Sequence, residues 1–426
     1  MWGESATVNG DEAGHNEADV TLPAIQQARI LVVDDNPVNR QLLLALLDRG
    51  GFSQTATAVD GEDGLRQVNA FNPDLILLDL MMPNVDGFEM CRRLRADPRH
   101  RDLPVLVQSS LNRAEDRGRA FSAGATDYVS KPINAVELVS RVRIHVQKRM
   151  LVQSLQLYRQ RAAFELELAR KMQARLMPQP ALLGQVEASM GVTIEARFTP
   201  SSELGGDCWD MRPLEPGRLA VWLVDFSGHG VGAALNTFRL HAVIRQLDFS
   251  AFDPGGFLGE INRRLCGLLP HGQYATLLVG VLDLNAGTFT YASAASTRPL
   301  VWSPSDPVIS GDNRGLPAGL LASAVYENRV LAFPAAGSLF LYSDAAIELP
   351  VGDDVLDDTG LAELVMICAH EQQQEMAEAG PGRGGKADDT GRRPPGFLDR
   401  LLGRLEALAA FDDDLTALVI SRRVPA

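Results

Sequence analysis

Cysteine, aromatic residues and unbroken hydrophobic length are all scarce in this chain of 426 residues. The four cysteines, Cys91, Cys208, Cys266 and Cys368, stand far apart, which excludes a disulfide framework and the paired spacings of a structural zinc site. No apolar run reaches membrane length and no secretory leader pattern opens the chain, so a cytoplasmic, reduced protein that neither spans nor anchors in a membrane is expected. Positive charge is also in deficit. With 40 Lys and Arg against 54 Asp and Glu the formal net charge is −14, which disfavours nucleic acid as a partner. A hydrophobic content of 46% over this length is that of a globular protein of two or three domains.

Against that background, short apolar runs ending in acids stand out. Leu75-Ile76-Leu77-Leu78 delivers Asp79 before Pro83 stops the segment, which reads as a buried parallel strand with a carboxylate at its C-terminal edge. Arg29-Ile30-Leu31-Val32-Val33 is a second such strand and ends in Asp34-Asp35. Three acids at one edge repel one another unless a cation joins them, and oxygen-only ligands suit Mg²⁺ with phosphate as a co-ligand. Two further strands lead to Ser109 and to Tyr128-Val129-Ser130-Lys131, adding a hydroxyl and an ammonium that complete a phosphoryl-binding set.

On these motifs residues 28–148 resemble the receiver domain of two-component response regulators, a doubly wound, flavodoxin-like α/β fold with a five-stranded parallel sheet. The resemblance implies that Asp79 is the phosphoacceptor, served by a sensor histidine kinase. It implies that Asp34 and Asp35 hold Mg²⁺ together with Asp79 and the Met81 carbonyl, that Ser109 and Lys131 contact the phosphoryl oxygens, and that Tyr128 is the aromatic switch. Residues 1–27, rich in Gly, Glu, Asp and Asn, are expected to be a flexible tail.

After the receiver, helical character continues without a stop from about Asn134 to Met177, where Pro178 ends it. Leu151, Leu155, Tyr158, Ala162, Glu165, Ala169, Met172 and Leu176 alternate steps of four and three. Residues 149–177 therefore read as a coiled-coil linker pairing two chains in a homodimer, or else as an amphipathic helix lying on its own domain.

In residues 178–426 four more acids occupy comparable places. Gly205-Gly206-Asp207 sets a carboxylate behind two residues that allow close backbone approach. Asp225 ends the strand Leu219–Val224, Asp344 follows Leu339–Ser343, and Asp412-Asp413-Asp414 precedes the final strand from Leu415. These segments, with Phe226-Ser227-Gly228-His229-Gly230 and Tyr274-Ala275-Thr276-Leu277, resemble the PPM-type serine/threonine phosphatases of the SpoIIE-like branch. That resemblance implies an α+β fold, a β-sandwich flanked by helices, with two Mn²⁺ or Mg²⁺ ions between the sheets. Asp207 would bridge the ions, Asp225 and the Phe226 carbonyl would serve one, and Asp344 with Asp413 the other. It further implies a phosphorylated anti-sigma-factor antagonist of the STAS type as partner and substrate in a partner-switching pathway.

Three features qualify the match. His229 is either a general acid or a helix-start residue. Ser343-Asp344-Ala345 replaces the usual Thr-Asp-Gly, so a turn needing positive φ at Ala345 would displace Asp344. Ser293-Ala294-Ala295-Ser296 replaces Asn-Ala-Gly-His. The competing expectation is a non-catalytic adaptor that uses a phosphatase-like domain to bind a sigma factor or antagonist. Residues 377–395, dense in Gly, Pro and charge, read as a surface insertion.

Overall fold

The structure is a computed structural model, and it describes residues 25–109, 114–228, 230–249, 252–352, 354–379 and 396–423. Most of the expected tail, His229 and residues 380–395 of the expected insertion thus lie outside the described residues. The chain divides into two compact units, with the boundary between Ala162 and Ala163.

The first unit alternates strands and helices: β1 (Ile30–Val33), α1 (Pro37–Arg49), β2 (Thr55–Ala58), α2 (Gly61–Phe71), β3 (Leu75–Asp79), α3 (Gly87–Ala96), β4 (Val105–Ser109), α4 (Ala114–Ala123), β5 (Asp127–Ser130) and α5 (Ala135–Ala174). The strands form one parallel sheet in the order β2-β1-β3-β4-β5. Both faces are covered, which is why β1, β3 and β4 read as continuous apolar runs rather than alternating ones. Leu31, Val33, Ile76, Leu78, Val105 and Val107 pack against Val68, Phe88, Met90 and Leu94 on one side. Ile30, Val32, Leu75, Leu77 and Leu106 pack against Leu43, Leu47, Leu138, Val142 and Val146 on the other. Ile25 is buried in this second core, so the folded unit begins before Ala28 and includes a residue the sequence reading places in the tail. The register Val33↔Leu78 brings the residues after β1 level with the end of β3.

Helix α5 is 40 residues long. Its first turns belong to the receiver core through Leu138, Val142 and Val146. Further along, the seam positions Leu151, Leu155 and Tyr158 are 59%, 56% and 72% exposed.

The second unit continues with α6 (Pro180–Met190), β6 (Val192–Thr199), β7 (Cys208–Pro213), β8 (Arg218–Phe226), α7 (Val231–Ile244), α8 (Pro254–Cys266), β9 (Ala275–Asp283), β10 (Thr288–Ala294), β11 (Leu300–Trp302), β12 (Ile309–Ser310), β13 (Arg329–Ala332) and β14 (Ser338–Tyr342). A 3₁₀ turn (Asp344–Ala346), the small hairpin β15 (Pro350–Val351) and β16 (Asp354–Val355), α9 (Asp358–Ala379), α10 (Phe397–Leu408) and β17 (Leu415–Arg422) complete it. Two five-stranded sheets, β13-β10-β9-β8-β7 and β12-β11-β14-β17-β6, face each other. Their inner faces share one core, in which Trp209, Leu223, Leu278 and Phe289 meet Val301, Leu339, Leu341 and Leu418. The outer face of the first sheet is covered by α7 and α8 through Leu240, Phe257, Leu258 and Ile261. The outer face of the second is covered by α9 and α10 through Leu361, Val365, Leu401 and Leu405. The result is a β-sandwich flanked by helices, held by apolar side chains worth about 1.5–3 kcal/mol each on burial.

Strand register decides where the acids meet. In the first sheet Cys208↔Val224 pairs β7 with β8, so Asp207 comes level with Asp225. In the second, Tyr342↔Ala417 pairs β14 with β17, so Ser343-Asp344 arrives beside the chain entering β17. That junction is closed by Ser343, whose amide donates to the Thr416 carbonyl at 2.8 Å and whose Oγ accepts from the Thr416 amide at 2.8 Å.

Candidate functional site

In the first unit, Asp34, Asp35 and Asp79 each offer an oxygen, and these lie within 4.8 Å of one another, a spacing fit for one metal ion. Asp34 is fully buried and Asp79 nearly so, whereas Asp35 is exposed. Asp34 is oriented by the amide of Asn36 at 2.9 Å and by Asn39 Nδ2 at 3.3 Å. Burial, with the neighbouring charge of Asp79, raises its proton affinity above that of an ordinary carboxyl. Lys131 Nζ donates to Asp79 at 2.7 Å and stands 3.8 Å from Asp34. This ammonium is the protein's own counter-charge to the cluster. Gly87 is required here, because a Cβ would fall 2.4 Å from the Asp79 carbonyl oxygen where α3 closes on the strand end. Tyr128 is half-buried, its hydroxyl accepts from Arg117 Nη1 at 3.1 Å, and its ring meets Phe121 edge-on at 6.2 Å. The backbone of Ser109 pairs with Ser130 at the same sheet edge. Met81 follows directly, its amide donating to Asp79 at 3.4 Å.

In the second unit Asp207 is 1% exposed, and neither of its carboxylate oxygens has a hydrogen-bond partner. Burial and the adjacent charge of Asp225 push its proton affinity far up, and the hydroxyls of Thr416 and Ser343 offset only part of the rise. Burial and the charge of Asp344 take Asp225 up to about 7. Asp344 rises to about 6 through burial and the charges of Glu348 and Asp413. A set of acids that raise one another in this way is short of positive charge, and the orphaned Asp207 is the strongest sign of it. Among the described residues the receiver trio alone meets the 4.8 Å spacing of a single ion. The second set is spread over the edges of two sheets, and its unpartnered, mutually raised carboxylates suit cations as ligands.

The backbone around Asp207 is clamped from two directions. Asp414 is buried and accepts from the amides of Ser201 at 2.7 Å and Gly206 at 2.5 Å, while its neighbour Asp413 is exposed and accepts only from the Asp414 amide at 2.8 Å. Gly206 permits a close approach, since a Cβ there would lie 3.0 Å from the Phe226 carbonyl oxygen. The second clamp escapes the sequence reading. Gln173, near the end of α5 and 1% exposed, donates from Nε2 to the Gly205 carbonyl at 2.6 Å and accepts at Oε1 from the Gly205 amide at 3.2 Å. The same Nε2 reaches Thr237 Oγ1 on α7 at 3.4 Å. No sequence signal separates Gln173 from the exposed Gln147, Gln153, Gln156 and Gln160 of the same helix.

The departure at Ala345 does not have the effect expected of it. Residues Asp344–Ala346 form a 3₁₀ turn, and Ala345 is not among the residues with positive φ. The strained position is Ala295, which holds φ 55° where the family pattern has glycine. Ser293 Oγ braces that bend by accepting from the Ser296 amide at 3.2 Å and donating to the Asn313 carbonyl at 3.2 Å.

The response regulator receiver domain family matches residues 30–143, and the Stage II sporulation protein E (SpoIIE) family matches residues 215–423. Among curated proteins, the chain is 44% identical over 115 residues to the DNA-binding dual master transcriptional regulator RpaA of Synechocystis sp., covering 27% of this chain and 47% of RpaA. It is 42% identical over 136 residues to the response regulator PleD of Caulobacter vibrioides, covering 32% of this chain and 29% of PleD. The chain thus spans less than half the length of these relatives. Among solved structures it is similar to the SiaA-PP2C domain of Pseudomonas aeruginosa, with 19% identity, a TM-score of 0.49, and coverage of 62% of this chain and 98% of that one. It is also similar to the RsbU and RsbW domains of Rv1364c from Mycobacterium tuberculosis, with 23% identity, a TM-score of 0.46, and coverage of 56% and 62%. Among the described residues no helix is long and apolar enough to cross a membrane. Two family matches in series, over the two units that carry the two acid sets, give this chain a response regulator receiver domain followed by a SpoIIE domain.

Proposed function

We propose that the chain is a protein serine/threonine phosphatase under the control of receiver phosphorylation. A sensor histidine kinase supplies the phosphoryl group to Asp79, and the second unit hydrolyses phosphoserine or phosphothreonine on a STAS-type anti-sigma-factor antagonist. The observation that carries the enzymatic reading is Asp207, a buried carboxylate with both oxygens unpartnered among acids that raise one another's proton affinity. A protein with no use for cations gains nothing from that arrangement.

In the receiver, Asp34, Asp35 and Asp79 with the Met81 carbonyl would hold Mg²⁺. Lys131 neutralises the transferred phosphoryl charge, and the Ser109 hydroxyl and Tyr128 register its arrival. In the second unit Asp207, Asp225, Asp344 and Asp413, with the Phe226 carbonyl, would hold two Mn²⁺ or Mg²⁺ ions. Bound there, the ions supply Lewis acidity toward water and toward the phosphoryl oxygens. The protein's own part is to fix the carboxylates without spending their oxygens: Asp414 and Gln173 hold the peptide units before Asp207, and its own lone pairs stay free. The exposed seam of α5 supports a homodimer formed through that helix.

The test is phosphate release from a phosphoserine-bearing antagonist protein in Mn²⁺, with and without beryllofluoride on Asp79. A rate that responds to beryllofluoride supports both the enzyme and its switch. Absence of release from protein that binds Mn²⁺ would replace the phosphatase with the adaptor.

A further inference from the structure

At the base of the receiver, by the N-terminal ends of β4 and β5 and opposite the acid cluster, lies a cavity of about 630 Å³. Its walls carry Arg95 at the end of α3, Arg99 and Arg101 in the turn beyond it, and His145, Lys148 and Arg149 on α5. A single carboxylate, Asp102, lines it with them. For a chain of net charge −14 this is a pronounced local reversal of sign.

The protein leaves most of these cations unneutralised. Arg99 pairs with Asp97 at 2.6 Å and His145 with Asp127 at 3.0 Å. Among the described residues Arg95, Arg101, Lys148 and Arg149 have no carboxylate partner. Arg149 reaches the Asp102 carbonyl at 3.2 Å, while its Nε is buried with no partner. Arg95 has only the His100 carbonyl and the Thr126 hydroxyl, each at 3.3 Å. Burial lowers the pKa of both guanidinium groups from the ordinary arginine range, and the charges of Asp102 and, for Arg149, Asp74 offset only part of it, so two charged arginines stay incompletely compensated. The volume falls in the range of small-molecule sites. Beyond the cations, Val152 offers an apolar contact and Gln153 and Gln156 offer amides. Cations converging on a concavity, with amides along one wall, suit a compact ligand better than the extended face of an acidic protein.

We propose that this cavity binds a nucleoside diphosphate or triphosphate, with its phosphates on Arg95, Arg101, Lys148 and Arg149 and its base and sugar along Val152, Gln153 and Gln156. Such a ligand fastens the base of the receiver to the segment of α5 just beyond Val146, where the helix leaves the core.

The full-length protein is titrated calorimetrically in metal-free buffer, so that neither acid set can take phosphate through a cation. The probes are ADP, GDP, ATP, GTP, inorganic pyrophosphate, adenosine, guanosine and polyglutamate. The expected result is saturable, one-to-one, salt-sensitive binding of at least one of the nucleotides, tighter than pyrophosphate, with no binding of the nucleosides. Loss of one charge-assisted phosphate contact weakens binding about tenfold. Lys148→Gln, at an exposed position, shows that loss with an unchanged melting curve, and Arg149→Gln shows it as well. Saturable binding to none of the nucleotides overturns the proposal. So does nucleotide affinity equal in wild type and both variants, or a preference for polyglutamate.

Discussion

Replacing Gln173 by Met keeps the length and helix propensity of the side chain and removes every hydrogen bond it makes. Two backbone groups of Gly205, an N–H and a C=O, then lose partners that stand at 3.2 and 2.6 Å in a site closed to water. At about 1–3 kcal/mol for each unsatisfied buried group, and allowing for local relaxation, the expected loss is about 3 kcal/mol. In a unit of this size that lowers the melting temperature by about 6–12 °C. The functional effect is separate from the stability effect, because Gly205 lies two residues before Asp207 and a slack peptide there leaves that carboxylate misplaced. Outer-shell changes of this kind typically cost about 10–100-fold in metal affinity or activity. Hydrolysis of an aryl phosphate is therefore followed against Mn²⁺ concentration, well below the melting transition. A variant that melts early yet keeps the wild-type Mn²⁺ half-saturation and maximal rate would refute the coupling and reduce Gln173 to a packing residue.

Asp79→Asn abolishes labelling of the receiver by acetyl phosphate and leaves the fold intact; retained label on that variant would show that the acceptor lies elsewhere. Asp207→Asn eliminates Mn²⁺-dependent turnover while raising the melting temperature of the metal-free protein at neutral pH, since folding no longer has to bury a charge or take up a proton there; calorimetry and aryl phosphate hydrolysis read the two effects. The pH dependence of the metal-free protein has a definite sign. Asp225 at about 7 and Asp344 at about 6 bind protons more tightly folded than unfolded, so their contribution to stability is full below about pH 4 and is lost as pH rises through 7. Saturating Mn²⁺ flattens that fall, and melting curves at stepped pH with and without the ion check it. Ala295→Gly relieves a left-handed conformation worth about 1–2 kcal/mol against the added entropy of glycine, for a net gain of about 0.5–1 kcal/mol in denaturant unfolding.

Much of the architecture is legible in the sequence because burial leaves a pattern in it. A parallel strand covered on both faces must be apolar throughout, so β1 and β3 announce themselves, and the acid after each is conspicuous. The positions before β7, at the end of β8, after β14 and before β17 carry the same mark, and antiparallel register turns their order in sequence into pairs in space. Contacts made through backbone leave no such trace. Gln173 is indistinguishable by type from the solvated glutamines of the same helix, because its partner is a peptide unit 32 residues away. Asp413 and Asp414 are likewise equivalent as letters, and only the fold makes the second a buried acceptor of two amides and leaves the first exposed. The misplaced expectation at Ala345 has a similar origin. A motif marks where glycine is usual, but the dihedral angle that needs it depends on how the turn closes, and here a 3₁₀ turn makes alanine acceptable.

The two clamps on the Asp207 loop differ in what they are anchored to, and that difference has a mechanical consequence. Asp414 leads into β17, the penultimate strand of its sheet, which is bonded to β14 on one side and β6 on the other. It is a fixed point of the sandwich. Gln173 belongs to α5, the same helix whose Leu138, Val142 and Val146 sit in the receiver core. An α-helix transmits axial shift or rotation along its length with little loss, since each peptide is tied to the one a turn away. Under the proposed control by receiver phosphorylation, a shift of α5 would reach Gly205 through Gln173 while Gly206 stays bonded to Asp414, and the strain between them would fall on Asp207. A carboxylate whose own oxygens take no hydrogen bond depends on its backbone for its position, so in the proposed mechanism Asp207 would be the residue of the site most responsive to the helix.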